Sequence, residues 1–268
     1  MNHKTKATDR LKLLTGKKHI VFTDRGNTAI LLALKLAKSL GKTTAFLQDQ
    51  GGWITYSQYT KKLKFEQVNI GTDYGIVEKN NLKNLDNKSV LLINSMPGYF
   101  AVQENMKEIE NICRKKDIFL INDASGTIGL ELAKYGDIIL GSFGEWKPVE
   151  VGYGGFLAFD GDYTKLFEEN NKRPVNDFYE KLIQELAKLK TKQNSQFETA
   201  EKIKKQLKDF DIIHRERKGY NVIVKFSSND ERAKIVDFCK IYNYEFTMCP
   251  RYIRVNEDAV SIEVKRLN

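Results

Sequence analysis

The first 160 residues alternate between short apolar runs and amphipathic runs, and this alternation limits the fold more than any other feature. Leu91-Leu92-Ile93 has no polar alternation, as expected for a strand buried on both faces of a parallel sheet. Helical spacing lies between such runs, over 28–39 and 102–114. The pattern predicts a doubly wound, mostly parallel α/β sheet. Its strands are expected at residues 19–23, 44–48, 64–70, 89–95, 118–123, 138–143 and 156–160.

The remainder of the chain has a different pattern. Residues 174–210 carry two apolar helical stripes, which one long helix or two shorter helices would explain. Beyond them we expect a helix over 230–242, with strands at 220–226, 244–248, 252–255 and 260–265. The sequence therefore predicts a large α/β domain at residues 1–160 and a small C-terminal α+β domain at residues 161–268.

Composition supports a folded chain with a substantial core, since 41% of the residues are hydrophobic. The cysteines have no paired spacing and the histidines are scattered, which argues against a disulfide framework and a metal site. No apolar run is long enough to cross a bilayer, and the N-terminus lacks the apolar segment of a secretion signal, so we expect a cytoplasmic protein. The net charge of +9 is dispersed; it leaves RNA binding possible but does not favour it.

A carboxylate and a lysine stand in a suggestive order. Asp123 ends the fifth predicted strand, Lys147 follows the sixth, and a glycine-rich stretch at 152–155 comes next. Such a pair can hold both ends of pyridoxal phosphate: the carboxylate keeps the ring nitrogen protonated, and the lysine forms a Schiff base with the aldehyde. The alternative is a strand-end carboxylate and one of many surface lysines. The ordered set favours the cofactor, with Lys147 and Asp123 as catalytic residues.

Residues 122–160 resemble the DegT/DnrJ/EryC1/StrS aminotransferases, a family of pyridoxal phosphate enzymes of fold type I. The family pattern is Asp-Ala-Ala-Gln-x-x-Gly, followed by Gly-Asp, Ser-Phe, Lys and Gly-x-Gly-Gly. This chain matches the pattern at Asp123, Gly129, Gly136-Asp137, Ser142-Phe143, Lys147 and 152–155. A weaker resemblance extends upstream to residues 26–29 and downstream to Cys249-Pro250. The resemblance implies the fold-type-I architecture, with pyridoxal phosphate as the cofactor.

Two departures from the family pattern bear on the reaction and the substrate rather than on the fold. Gly126 stands where the family has a glutamine that supports the phenolic oxygen of the cofactor. The first predicted strand begins at His19, so the N-terminal arm of the family is nearly missing.

The phosphate of the cofactor is expected at the start of the helix that follows the first predicted strand. Gly26, Asn27 and Thr28 follow the first strand, and a helix N-terminus with a glycine lets an anion approach exposed amides. Asn27 or Thr28 would also serve as a helix cap, which is compatible with that role. Ser142 matches the family serine that binds the phosphate, although a solvated hydroxyl at a strand end explains it equally well.

Further candidates would contact the ring or the substrate. Trp53 lies near the family position of an aromatic that stacks on the cofactor ring, and its alternative is a core or interface tryptophan. Tyr99 would line the substrate pocket, although a turn aromatic is the simpler interpretation. Arg251 and Arg254 lie where fold-type-I enzymes commonly place an arginine that binds a carboxylate, a task for which a guanidinium is well suited.

The resemblance implies a homodimeric aminotransferase that moves an amino group between an amino donor and a keto sugar or keto acid. One alternative keeps the cofactor but changes the reaction, as in a lyase or a tRNA-linked amino-acid converting enzyme. Another is a non-catalytic relative that acts as a binding or regulatory module. Gly126 fits that alternative, whereas the retained pair of Asp123 and Lys147 favours an enzyme.

Overall fold

A computed structural model describes residues 2–169, 174 and 177–267 and contains a seven-stranded sheet. Its strands, which begin and end within two residues of those expected, are β1 His19–Thr23, β2 Thr44–Gln48, β3 Glu66–Ile70, β4 Ser89–Asn94, β5 Phe119–Asp123, β6 Ile138–Ser142 and β7 Gly155–Phe159. Their order across the sheet is β1-β7-β6-β5-β4-β2-β3. Every residue of β4 and of β5 is buried, which explains their continuous apolar character.

One strand of this sheet runs against the others. β7 pairs antiparallel with both β6 and β1, whereas all pairs among β2 to β6 are parallel. The chain therefore turns back after β6 through residues 143–154, and this connection carries Lys147. The mostly parallel sheet of the α/β class is confirmed.

Helices cover both faces of the sheet. They are α1 His3–Thr15, α2 Gly26–Ser39, α3 Ile54–Lys62, α4 Met106–Lys115, α5 Thr164–Glu169 and α6 Phe178–Gln206. Leu92 of β4 packs in the core beneath α2 and α3, while its neighbours Leu91 and Ile93 pack beneath α4. α1 and α6 cover the same sheet through Leu11, Leu182 and Leu186. No helix in the described part of the chain has the length and apolar character needed to cross a membrane.

The C-terminal part forms a second, three-stranded sheet. β8 Val222–Lys225, β9 Phe246–Cys249 and β10 Ala259–Ile262 are antiparallel in the order β8-β10-β9, with α7 Asn229–Ile241 packed against them. The strand expected at 252–255 is wrong. The Arg254 amide donates to the Arg251 carbonyl at 2.8 Å, so this segment closes a turn instead of pairing with the sheet.

α6 is a single helix that connects the two hydrophobic cores. Over the described part of residues 174–210, the one-helix interpretation is therefore the correct one. Leu182 and Leu186 belong to the core of the large sheet, and Ala200 and Ile203 belong to the core of the small sheet. The predicted boundary between a large domain at residues 1–160 and a small domain at residues 161–268 stays a prediction.

Candidate active site

A cavity of about 550 Å³ lies at the carboxyl ends of the central strands. Asn94, Asp123 and Ser142, the last residues of β4, β5 and β6, line it together with Arg251 and residues that follow the small sheet. Ligands of open α/β sheets bind at this edge. The candidate residues that the fold brings together here are Gly26, Asn27, Trp53, Tyr99, Asp123, Ser142, Lys147, Arg251 and Arg254.

Thr28 is the one candidate that does not line the cavity. Its hydroxyl donates to Asp24 Oδ1 at 2.6 Å, and its amide donates to the Arg25 carbonyl at 3.1 Å. These bonds keep the Thr28 side chain within the first turn of α2.

Asp123 is 5% exposed and is held at both carboxylate oxygens. The Ser125 amide donates to Oδ1 at 2.9 Å, and the Tyr56 hydroxyl donates to Oδ2 at 2.5 Å. Burial, and then the negative charge of Asp123, raise the pKa of Tyr56 well above its ordinary value, so the phenol keeps its proton and remains a donor. Tyr56 was missed in the sequence, although it lies only three residues beyond Trp53.

Lys147 is positioned by aromatic side chains. Its Nζ donates to the Tyr99 hydroxyl at 2.7 Å and lies 5.7 Å from the centre of the Trp53 ring. Tyr99 itself has a φ of +66°, in the left-handed region. Amides of Tyr220 and Asn221 donate to its carbonyl at 2.6 and 2.9 Å, which ties this conformation to the C-terminal part of the chain.

The space beside Gly126 is already occupied. A Cβ at this position would lie 3.1 Å from Met96 Cβ and 3.2 Å from Tyr99 Cε1. Tyr99 therefore fills the volume that a longer side chain at residue 126 would need. The departure from the family pattern at Gly126 and the position of Tyr99 are thus coupled by packing.

The first turn of α2 presses against the end of β6. A Cβ on Gly26 would lie 2.6 Å from Ser142 Cβ, so only glycine allows this approach. The first amides of a helix have no intrahelical acceptor and favour an anion. Asn27 Oδ1 accepts a 2.9 Å bond from Trp53 Nε1, which orients the indole at the cavity wall.

Arg254 is already paired with a buried carboxylate. Its Nε and Nη2 donate to the two oxygens of Glu263 at 3.0 and 2.9 Å, and both residues are almost completely buried. Burial alone would raise the pKa of Glu263, but the charge and hydrogen bonds of Arg254, followed by Lys265, lower it to about 2. The Arg251 side chain, by contrast, is exposed at the cavity.

Two further cations reach the cavity from the C-terminal turn and were missed in the sequence. Lys265 Nζ lies 4.3 Å from the centre of the Tyr99 ring, and the Arg266 guanidinium lies 4.3 Å from that of Trp146. Arg266 Nη1 also donates to Glu245 at 2.9 Å. Nothing in the sequence pattern pointed to Lys265 and Arg266, because basic residues commonly follow an apolar strand whatever they contact.

Comparison with known proteins identifies the chain at the level of the family. The model of the DegT/DnrJ/EryC1/StrS aminotransferase family matches residues 5–168. The chain belongs to this family. The resemblance recognised in the sequence is thereby confirmed. A second family model, that of the MJ1341 family C-terminal domain, matches residues 190–268. No curated protein matches the chain.

Solved structures share the fold at low sequence identity. A 3-amino-5-hydroxybenzoic acid synthase has a TM-score of 0.76 and 16% identity, with 99% of this chain and 86% of that chain covered. A putative sugar aminotransferase from Streptococcus pneumoniae, in its PLP form, has a TM-score of 0.75 and 10% identity over 98% and 86%. SepCysS, solved with the N-terminal domain of SepCysE, has a TM-score of 0.75 and 13% identity over 99% and 81%. They confirm the fold-type-I architecture.

The buried pair of Glu263 and Arg254 predicts a specific acid sensitivity. Because the folded pKa of Glu263 is lower than the unfolded value of about 4.3, its contribution to stability is fully present above that pH and is lost as pH falls towards about 2. Glu263→Gln should lower the free energy of unfolding at neutral pH by about 3 kcal/mol or more, because it leaves Arg254 unpaired. It should also flatten this acid dependence. Urea denaturation over a pH series measures both effects.

Glu245→Gln is the matched control for this prediction. Glu245 pairs with Arg266 at 2.9 Å, but its side chain is 61% exposed, so we expect a loss of less than about 1 kcal/mol. Equal losses in the two variants would contradict the role of burial at Glu263.

Proposed function

We propose that this chain is a pyridoxal phosphate-dependent aminotransferase that moves an amino group between an amino donor and a keto sugar or keto acid. The observation that carries the proposal is the meeting of Asp123 and Lys147 in one cavity, each held by a tyrosine hydroxyl. Family membership over residues 5–168 supports the same reaction class.

The chemistry of the lining residues fits the cofactor. Gly26 at the start of α2 and Ser142 at the end of β6 both line the cavity, and a Cβ on Gly26 would lie 2.6 Å from Ser142 Cβ, so a helix N-terminus and a hydroxyl are close together there for a phosphate. Trp53 offers an aromatic face, and Asp123 offers a carboxylate to a ring nitrogen. Lys147 offers a primary amine to an aldehyde. When bound, pyridoxal phosphate withdraws electrons from the α-carbon of the amino substrate.

Asp123 is proposed to hold the proton on the ring nitrogen. Its two oxygens already accept bonds from Ser125 and Tyr56, which fix the carboxylate in place. Because Tyr56 retains its own proton, it stays a hydrogen-bond donor to Asp123 and does not compete for the proton of the ring.

Lys147 is proposed to bind the cofactor and, once substrate has replaced it there, to move the proton of the substrate α-carbon through Nζ. Tyr99 accepts a hydrogen bond from that amine at 2.7 Å and so would hold it in place at the cavity wall. Tyr99 also fills the space beside Gly126, where the family has a glutamine. We propose that the Tyr99 hydroxyl replaces this glutamine as the group that supports the phenolic oxygen of the cofactor.

The alternatives differ in what they require of the site. A non-catalytic relative needs neither the bond from Tyr56 to Asp123 nor that from Lys147 to Tyr99, so both bonds favour an enzyme. A lyase or a tRNA-linked converting enzyme would use the same cofactor and would be recognised by its products. We place the reaction in the cytoplasm, in keeping with the absence of paired cysteine spacing.

The first prediction of this proposal concerns Lys147. The purified protein should take up pyridoxal phosphate and turn yellow, and borohydride should fix the cofactor to the peptide that contains Lys147. Peptide mass mapping measures the attachment. Lys147→Ala should prevent it, whereas Lys188→Ala, at a 66% exposed side chain, should not. A wild-type protein that stays colourless with added cofactor would refute the proposal.

A second prediction concerns Asp123. Asp123→Asn should bind the cofactor but slow the half-reaction with an amino donor on the order of 100-fold or more, because the ring nitrogen loses its counter-charge. Tyr56→Phe should cost only about one hydrogen bond, roughly a few-fold in rate. Stopped-flow absorbance measures both. An unchanged rate in Asp123→Asn would exclude the assigned role.

We further propose a homodimer with the cavity near the subunit boundary. Trp53, Ile54 and Trp146 are large apolar residues close to the cavity and are 37%, 49% and 42% exposed. A second copy would remove this apolar surface from water. Sedimentation should therefore give twice the chain mass of 30.9 kDa.

Ile54→Lys should weaken the dimer and reduce cofactor uptake together. Ile241→Lys, at a 77% exposed position on α7, is the control and should change neither property. A strictly monomeric wild-type protein that turns over substrate would show that one chain completes the site.

A further inference from the structure

The cavity has more positive than negative side chains. Among the residues that the structure describes, six basic side chains line it and two acidic ones do, Asp123 and Glu145. The basic set is Arg25, Lys147, Arg251, Arg254, Lys265 and Arg266. This excess can bind more negative charge than the phosphate of one cofactor brings.

Several of these cations already have partners in the protein. Arg254 donates twice to Glu263, and Arg266 donates to Glu245. Lys147 donates to Tyr99. The expectation that Arg254 binds a substrate carboxylate therefore conflicts with its geometry, because leaving Glu263 would strand a buried carboxylate.

Lys265 is the buried cation without an adequate partner. It is 6% exposed, and within the described residues its Nζ makes no hydrogen bond. The nearest carboxylate oxygen, Glu263 Oε2, lies 3.6 Å away and already accepts bonds from Arg254 and Asn221. Buried ammonium groups are normally paired and hydrogen-bonded, so this arrangement is costly without another anion.

The electrostatics of the group agree with that geometry. Burial, followed by the positive charge of Arg254, lowers the pKa of Lys265 well below its ordinary value, and Glu263 only partly opposes this. An anion beside Nζ would favour the charged amine. Lys147 also acts on Lys265 electrostatically, and both amines lie within 5 Å of the centre of the Tyr99 ring, at 4.6 and 4.3 Å.

We propose that Lys265 holds an anionic group of the substrate, a carboxylate or a phosphate, on the Tyr99 side of the cavity. The inference rests on the proposed function and adds to it the residue that selects the substrate. Arg251, exposed at the same cavity, remains available for a second anionic group.

The experiment compares amines that differ only in their anionic groups. Cofactor-loaded wild-type protein, Lys265→Met and Lys265→Arg react with propylamine, L-alanine, L-glutamate and O-phospho-L-serine in single-turnover absorbance measurements. Lys265→Met should raise the apparent Kd of the donor that carries the bound anion by at least about tenfold, the size expected for a lost charged hydrogen bond. Its reaction with propylamine should not change, and Lys265→Arg should restore most of the affinity.

The pattern across donors identifies the anion. An effect on all three amino acids assigns the α-carboxylate, an effect on glutamate alone assigns the second carboxylate, and an effect on phosphoserine alone assigns a phosphate. An equal effect on propylamine would show that Lys265 acts on the fold or on Lys147, and no effect on any acid would show that it binds none; either result overturns the inference.

A measurement without turnover separates this inference from the proposed function. Calorimetry with two unreactive anions, succinate and methyl phosphate, should show at least about tenfold weaker affinity in Lys265→Met than in the wild type for the anion that Lys265 binds, whether or not an amine reacts. If the wild type takes up no cofactor or reacts with no amine, the proposed function fails, and the binding of these anions still decides the role of Lys265. Equal affinities of the two proteins for both anions would overturn it.

Discussion

The position of Tyr99 is the constraint on which the rest of the cavity depends. Its carbonyl accepts the amides of Tyr220 and Asn221, so the large sheet and the C-terminal part meet at this residue. Its hydroxyl accepts from Lys147, and its ring faces Lys265. The left-handed backbone is unfavourable for a tyrosine, and these contacts compensate for it. One residue thus links the Lys147 amine to the contact between the large sheet and the C-terminal part of the chain.

A buried carboxylate then decides which cations remain available to a ligand. Glu263 accepts hydrogen bonds from Arg254, Asn221 and Ser261, and these donors stabilise its buried carboxylate. Arg254 and Lys265 both line the cavity, but Arg254 is 2.9 Å from a Glu263 oxygen and Lys265 is 3.6 Å from it. By residue type alone, an arginine would be preferred to a lysine as the group that binds a substrate anion. The ion pair with Glu263 makes Arg254 the less available of the two.

The sequence predicted the fold well wherever local pattern and burial agree. β4, β5 and β6 are built on short apolar runs that are buried, and Asp123 and Lys147 could be placed relative to β5 and β6. The segment 252–255 has strand composition but closes a turn, because its hydrogen bonds run within the segment. α1 and α3 are polar enough that their apolar spacing is weak. Tyr56 and Lys265 could not be found, since their contacts with Asp123 and Tyr99 are distant in the chain. Glu263 could not be found because its partner Arg254 lies in a turn that the sequence pattern predicts as a strand.

The same contacts explain how a chain of this family can lack the glutamine of its motif and keep its architecture. At Gly126 the smaller residue makes room for the Tyr99 ring, which brings a hydroxyl to Lys147. At the other end of the cavity Gly26 and Ser142 remain in close contact. Asp123, Ser142 and Lys147, which would hold the cofactor, therefore follow the family pattern. Gly126 departs from it, and the packing of Tyr99 beside Gly126 shows how a change at one position of the motif is accommodated by a side chain from another part of the chain. A fold of this kind can therefore keep its architecture while individual contacts around the cavity are replaced.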